Sequence, residues 1–449
     1  MGSPIKLAHF SPGRFILLSF FIVITISTIL LSLPIAQATQ TPIPFIDLLF
    51  TATSAACVTG LFTIPLAHFT LFGKAIILVL IQIGGLGLIT LMLFGMYMII
   101  NVGLATQLMA GQLLEIESWK NVKKILLFIF LFTLLVEIIG AFSILAALET
   151  NFPCNNIWFL SLFHAISSFC NAGIPLLYET IPATMQSKLI ITITTMLMFI
   201  GGLGFITWYE IARYIKSLPK KKKYRFSLHS KIILYGSTTL LISSSIIFWI
   251  LERENVLALL NAPTTMLESL FYAVSFKSTG LLLAPPAELH LATVLLIMII
   301  SFIGSSPGST GSGIKITNFA IFLATVKAAI INRRSVEIQG RRIAKDQVNK
   351  AIAIISLGLS WIILITFCLL ITEKNILFID ILFEAVAAFT TLGITTGVTP
   401  ALSLIGKIFI IMSMIIGRVG SLTLILGIKF KKKGKETEFS YPEERVMLG

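Results

Sequence analysis

The chain has 449 residues, 56% of them hydrophobic and 12% charged, and its mean hydropathy is +0.96. Soluble domains carry about 25% charged and about 45–50% apolar residues, so a soluble enzyme with one compact core is excluded, as are disordered, collagen-like and disulfide-stapled chains. The net charge of +14 would point to nucleic acid in a soluble protein, but here Lys and Arg gather in short blocks between apolar runs, at 120–124, 213–231, 327–350 and 429–435. No aromatic residues are interleaved to stack bases, so no nucleic-acid partner is expected. Such blocks mark cytoplasmic loops and contact anionic membrane lipids.

In chain order, the first apolar run (15–35) is followed by Ala36-Gln37-Ala38, which imitates a signal-peptide cleavage site. The run is too long for a signal segment and reads as a retained spanning helix. Next comes Phe45-Ile-Asp-Leu-Leu-Phe50, then a short polar stretch ending at Gly60, then a second apolar run (70–100) carrying Gly84-Gly-Leu-Gly87. This order recurs three times. Leu-Phe-x-Ala precedes Gly173, Gly280 and Gly393 as it precedes Gly60. From that Phe to that Gly the spacing is ten residues in copies one, two and four and nine in copy three. A second glycine cluster starts 24, 28, 24 and 24 residues later, at 84, 201, 304 and 417.

The repeats divide the chain into 1–110 with a pore loop at 45–62, 111–225 with one at 157–175, 226–340 with one at 265–282, 341–435 with one at 378–397, and a C-terminal tail at 436–449. Each middle segment is too short to cross about 30 Å of hydrocarbon. It reads as a re-entrant helix, and such irregular backbone is tolerated at membrane depth only where it lines water or is buried in protein. The predicted fold is all-α and integral to the membrane: eight transmembrane helices and four re-entrant pore helices around one central pore. Placing the termini and inter-repeat loops in the cytoplasm puts 26 of the 34 basic residues there and five opposite, which fixes both termini inside a cytoplasmic (inner) membrane.

A cation that crosses must exchange water for other oxygens, and rings of backbone carbonyls do this for potassium. The short polar strands before the repeated glycines can supply them, because glycine permits backbone angles that turn carbonyls inward. The helix before each strand points its negative end at the ion. One copy alone would read as a tight turn; four in register read as a filter. Its expected members are Val58, Thr59 and Gly60; Asn171, Ala172 and Gly173; Ser278, Thr279 and Gly280; and Thr391, Leu392 and Gly393. The bound metal is the transported K+ itself, and no resident cofactor is expected. Lys277, three residues before Gly280, would repel the ion if it faced it.

In the third repeat the second apolar run is interrupted by Gly304, Ser305, Ser306, Pro307, Gly308, Ser309, Thr310, Gly311, Ser312 and Gly313, with Lys315 beyond. A proline and four glycines break a helix. Small polar residues below the filter would obstruct the pore, which makes this stretch a candidate gate; the alternative is a plain connector. Arg418 sits in an apolar helix end, where a charge is costly. Its five donors suit the carbonyls and hydroxyls of 304–313, as a gate brace or as a brace between helices. Glu137 and Glu210 read as braces, and Asp47, Glu268 and Asp380 as outer-side attractors of cations. The five histidines are isolated, no H-E-x-x-H or Walker A pattern occurs, and the Gly-Ser-Ser-Pro-Gly match to a serine-nucleophile pattern lacks a preceding strand. No enzyme is expected.

Ser-Ala-Ala-Cys-Val-Thr-Gly at 54–60, His-Ala-Ile-Ser-Ser-Phe-Cys-Asn-Ala-Gly at 164–173, Ser-Pro-Gly-Ser-Thr-Gly-Ser-Gly-Ile-Lys at 306–315, Gly-Arg-Val-Gly at 417–420 and the tail Tyr-Pro-Glu-Glu-Arg-Val-Met-Leu-Gly at 441–449 resemble the superfamily of Trk, Ktr and plant HKT potassium transporters. The tail favours the bacterial Ktr branch over the longer Trk subunits. The resemblance covers nearly the whole chain. It implies four helix–pore-loop–helix repeats, potassium uptake gated by the loop at 304–313, a homodimer joined partly through the tail, and a cytosolic KtrA-like ring that binds nucleotide. Sodium enters as an activator, or as the preferred or co-transported ion in an alternative reading. Sodium-preferring plant members carry serine where this chain has Gly60.

Overall fold

The computed structural model describes residues 12–39, 41–87, 122–152, 156–220 and 224–420. The tail at 436–449 and the basic clusters at its start lie outside the described residues. In the first repeat α1 (Pro12–Ser32) packs on α2 (Phe45–Ala56) and α3 (Leu71–Leu86). The second holds α4 (Val122–Asn151), α5 (Ile157–Phe169), a one-turn α6 (Leu176–Thr180), α7 (Lys188–Gly202) and α8 (Phe205–Ser217). The third holds α9 (Leu228–Glu252), α10 (Ala262–Ser278), α11 (Leu291–Ile303) and α12 (Ile316–Ile330). A small antiparallel hairpin comes next, β1 (Glu337–Ile338) and β2 (Arg341–Arg342), the one departure from an all-helical reading among the described residues. The fourth repeat holds α13 (Lys345–Thr372), α14 (Phe378–Thr390) and α15 (Leu404–Val419).

Helices α4, α9 and α13 are long and apolar enough to cross a bilayer alone. The shorter α5, α10 and α14 pack on α4, α9 and α13, and α2 on α1, α3 and α15. On these pore helices the small and hydroxylic side chains Ser54, Ala55, Ser167, Ser168, Ser275, Ala387 and Ala388 are fully buried, as are the rings of Phe50, Phe163, Phe271 and Phe383. The long helices expose apolar residues such as Leu131, Leu135, Ile246 and Phe367, as a lipid-facing exterior requires.

Leu71 lies eleven positions after Gly60, and Leu291 and Leu404 stand at the same remove from Gly280 and Gly393. In repeat two the helix begins at Lys188, four residues late, the added length holding α6. This accounts for the 28-residue offset among offsets of 24. Carboxylates tie the second helices back to the first. Glu252, closing α9, accepts the His290 N–H at 3.0 Å and the Thr293 hydroxyl beside it. Glu373, just past α13, accepts the Ser403 N–H at 3.2 Å and its hydroxyl at 2.5 Å. Both place negative charge on a helix N-terminus, where orphan N–H groups favour it.

The second apolar runs are not continuous helices. Each breaks at a glycine with positive φ: Gly87 (80°), Gly204 (94°), Gly304 (67°) and Gly420 (88°). In ψ Gly304 (−162°) parts from Gly87 (125°), Gly204 (132°) and Gly420 (130°), whose conformation Lys315 (φ 76°, ψ 130°) adopts at the start of α12. Gly84, Gly201 and Gly417 are crowded: a Cβ on them would strike the carbonyl of Ala56, Phe169 or Phe389 at the end of the pore helix.

Candidate ion pathway and its loop

The four polar strands are shaped by one local device, with one exception. After α2, α5 and α14 a non-glycine residue adopts a left-handed conformation: Val58 (φ 56°), Asn171 (58°) and Thr391 (49°). The next residue then returns its N–H five places back: Thr59 to the Ser54 carbonyl at 2.8 Å, Ala172 to Ser167 at 2.8 Å and Leu392 to Ala387 at 2.9 Å. In repeat three α10 runs on through Ser278, no left-handed residue precedes Gly280, and it is the Gly280 N–H that reaches back five, to Ser275 at 3.0 Å. The residue missing from the nine-residue copy is the left-handed one.

The glycines then close a ring. Gly60, Gly173, Gly280 and Gly393 have φ of 91°, 64°, 77° and 84°. A Cβ on Gly60 would run into the carbonyl oxygen of Ala172, one on Gly173 into that of Thr279, one on Gly280 into that of Leu392, and one on Gly393 into that of Thr59. The order of contacts is repeat one to two, two to three, three to four and four back to one. All twelve expected filter residues, Val58 to Gly60, Asn171 to Gly173, Ser278 to Gly280 and Thr391 to Gly393, are brought together here, and all but the half-buried Gly393 are buried.

Lys277 is turned away from this ring. Its Nζ donates to Ser237 Oγ on α9 at 3.1 Å, across a small cavity also lined by Asn171 and Ser305. Asp47 is no free attractor of cations either: it is buried and paired with Lys407 Nζ at 2.6 Å, joining α2 to α15. Glu137 accepts from Gln82 Nε2 at 3.0 Å and braces α4 against α3, and Glu210 accepts the Ser227 N–H at 3.1 Å. Glu268 and Asp380 are half-buried on their pore helices.

The segment 304–315 folds back on itself. Ser305 N–H donates to the Ser312 carbonyl at 2.9 Å and Ile316 N–H to the Ser305 carbonyl at 3.1 Å. It is seated on repeat two: Thr310 N–H bonds the Gly201 carbonyl at 3.2 Å, Ser306 N–H the Gly202 carbonyl at 3.3 Å, and Phe205 N–H the Gly308 carbonyl at 2.8 Å. Ser312 N–H reaches Ser278 Oγ at 3.0 Å, and Lys315 Nζ reaches the Gly311 carbonyl at 2.6 Å. Arg418 Nη1 donates to the Thr310 carbonyl at 2.7 Å and Ser312 Oγ at 2.8 Å, and its Nη2 to the Gly84 carbonyl. One guanidinium thus joins repeats four, three and one, and the burial cost of its charge is met by fixed acceptors. Ser305, Ser306, Thr310 and Ser312 are all buried, while Gly308 and its neighbours Pro307 and Ser309 reach the surface. The seats on Gly201 and Gly202, and the bonds that the Asn171 side chain makes to Thr279 and Thr310, are not announced by any motif; the only signal was that these glycines sit at the same step as the others.

The chain matches the family described as TrkH: Cation transport protein over residues 10–436. It is 35% identical over 446 residues to the potassium/sodium uptake protein NtpJ of Enterococcus hirae, covering 98% of this chain and 97% of that one. The chain belongs to this family of cation transporters. It is 33% identical to the Ktr system potassium uptake protein B of Bacillus subtilis, over 99% of this chain and 98% of that one. Its fold is shared with the TrkH potassium transporter of Vibrio parahaemolyticus at a TM-score of 0.72 and 17% identity, over 95% of this chain and 87% of that one. As a TrkH-family member the chain is a multipass membrane protein and a transporter rather than an enzyme.

Proposed function

We propose that this protein takes up potassium across the cytoplasmic membrane through a filter made by the four glycine strands, with both termini in the cytoplasm. The observation that carries the reading is the closed ring in which each repeated glycine lies against the carbonyl preceding the next. Carbonyls of Val58, Thr59 and Gly60 and their counterparts replace the water that potassium sheds. The segment Gly304–Gly313 with Lys315 obstructs the path beneath and acts as the gate, and Arg418 holds it closed. Its support is geometric: the loop bonds to repeats two, three and four and lies in a break that two residues suffice to span in repeat two. Freed backbone groups at membrane depth cost several kcal/mol each when unpaired, so the loop rests where partners exist.

Relatives named as protein B of a Ktr system support a separate partner component; that this partner is a cytosolic, nucleotide-binding regulator, and that the chain forms a homodimer, is proposed with it. A second reading, in which sodium is carried as well or acts as an activator, is favoured by the relative named for potassium and sodium. Growth of an uptake-deficient bacterium on limiting potassium, expressing this chain with and without a cytosolic Ktr subunit, tests the first reading. Competitive uptake at matched potassium and sodium separates the two. In that assay Gly60→Ser is expected to lower the preference for potassium; an unchanged ratio at normal expression would remove Gly60 from the filter. Single cysteines placed within 441–449 should crosslink pairs of chains if the tail contributes to a dimer, and monomers at every position would refute that.

A further inference from the structure

Asn171 differs from its counterparts in what its side chain does. Val58 is apolar and the Thr391 hydroxyl has no partner among the described residues, whereas the Asn171 carboxamide is bonded at both ends. Its Oδ1 accepts from Thr279 Oγ1 at 2.5 Å, in the strand of the next repeat. Its Nδ2 donates to Thr310 Oγ1 at 2.7 Å, in the loop, and to the Phe169 carbonyl at 3.3 Å. Thr310 Oγ1 itself donates to the Phe169 carbonyl at 2.9 Å. Asn171, Thr279 and Thr310 are each at most 2% exposed.

The direction of this chain of bonds is set by its protons. Thr310 has one hydroxyl proton, committed to the Phe169 carbonyl, so toward Asn171 it can only accept. The amide nitrogen must therefore face Thr310 and the amide oxygen Thr279. The bonds run in one sense from Thr279 through Asn171 and Thr310 to the end of α5. Bonds so aligned reinforce one another in a low-dielectric interior. Thr279 is also the residue whose carbonyl fills the space beside Gly173 in the ring, and it comes after α10 without the left-handed spacer present in the other strands. Its hydroxyl is tethered, while that of Thr59, its counterpart in repeat one, has no partner among the described residues.

We propose that Asn171 is a positioning residue that makes the geometry of the third strand, and with it the discrimination between potassium and sodium, depend on whether the loop is docked. This rests on the reading of 304–313 as a gate. With Thr310 seated, the carboxamide is fixed and holds Thr279, so the Thr279 carbonyl keeps its place in the ring. When the loop leaves, Thr310 and the proton chain go with it, Asn171 loses one of its two anchors, and the third strand is free to relax. Asparagine suits the position twice over, because it tolerates the left-handed backbone at φ 58° and offers both a donor and an acceptor.

The test uses the purified full chain, with potassium and sodium affinities measured by calorimetric titration of the resting protein, loop docked, and fluxes measured after reconstitution in liposomes. Thr310→Val removes the hydroxyl at constant shape, and Thr310→Ser retains it. Asn171→Gly removes the carboxamide without penalising the left-handed backbone, and Asn171→Asp, which keeps the acceptor but not the donor, serves if the glycine variant does not fold. Thr310→Val is expected to lower the ratio of potassium to sodium affinity about fivefold, what one hydrogen bond of ordinary net strength is worth, and Thr310→Ser to restore it. Combining Thr310→Val with the Asn171 change should lower the ratio no further than the Asn171 change alone, as for two residues in one network. Additive effects, or an unchanged ratio in Thr310→Val, would overturn the proposal. Deletion of 308–313, assayed beside them, separates the two ideas: raised flux on deletion with an unchanged ratio in the point variants refutes the role of Asn171 and leaves the gate standing, whereas no rise in flux on deletion refutes the gate.

Discussion

In repeat two α7 and α8 are joined through Leu203 and Gly204, and the chain turns through 99°. In repeat three α11 and α12 are joined by the twelve residues 304–315. Both breaks use a glycine with positive φ, 94° at Gly204 and 67° at Gly304. The glycine supplies the turn; the number of residues before the next helix decides whether the break is a corner or an independent element. A two-residue corner is pinned by the helices on either side. Twelve residues can make their own bonds, rest on a neighbouring repeat and be held by a distant arginine, so they have a second place to be. The strands differ in the opposite sense: repeat two keeps the left-handed residue that repeat three has lost, so the third strand is the more dependent on what touches it.

The largest effect should come from setting two glycines of nearly equal φ against each other. Gly173 (64°) lies against the Thr279 carbonyl, whereas a Cβ on Gly308 (61°) would meet nothing within 4 Å. Gly173→Ala should cut potassium uptake by about a hundredfold, because backbone strain of about 1–2 kcal/mol is compounded by a clash with a packed carbonyl. Gly308→Ala, with the strain alone, should keep most of it. Equal losses in a tracer uptake assay would mean that the ring contact is not what matters. Next, shortening 308–313 should raise flux about tenfold and reduce its dependence on a cytosolic partner, the shift expected when a closed state loses about 1.4 kcal/mol. If a folded, inserted variant is no faster than the parent, the third break is a connector like the second. Arg418→Ala should act in the same direction but less, about fivefold, since it removes the charged donor to Thr310 and Ser312 and leaves the backbone bonds to Gly201 and Gly202. Smallest is Lys277→Met. A charge behind the ring, screened by the water of the pore, repels the ion by about 0.4 kcal/mol, so its removal should lower the KM for potassium about twofold with kcat little changed; a raised KM would place the ammonium in a supporting role instead.

The ring glycines were legible because each states the same requirement four times, and Arg418 because an intramembrane charge must find acceptors. The position of the deletion in the third strand was not. A count of nine against ten shows that a residue is gone, but which conformation went with it depends on α10 continuing through Ser278. The counterpart of Gly87 in repeat three was hidden for a related reason: its backbone conformation is taken by Lys315, a residue type that rarely adopts it, at the far end of the loop. Asp47 read as an attractor of cations because its partner, Lys407, is 360 residues away and nothing local announces it. Lys277 could be located in sequence but not aimed, since its direction is set by Ser237 on another helix.

The Asp47–Lys407 pair lies where the first repeat meets the last, as does the bond from Arg418 to the Gly84 carbonyl. Repeats one and two, two and three, and three and four are neighbours along the chain; repeats four and one are neighbours only in space. That seam can form only after α15 has been synthesised. Until then the first re-entrant segment carries a carboxylate without its counter-ion into a membrane, and Gly393 has no Thr59 carbonyl to close upon. The last repeat is therefore the keystone of biogenesis: a ribosome that stalls before residue 404 leaves an open arc whose polar inner face is presented to lipid, a natural mark for membrane quality control.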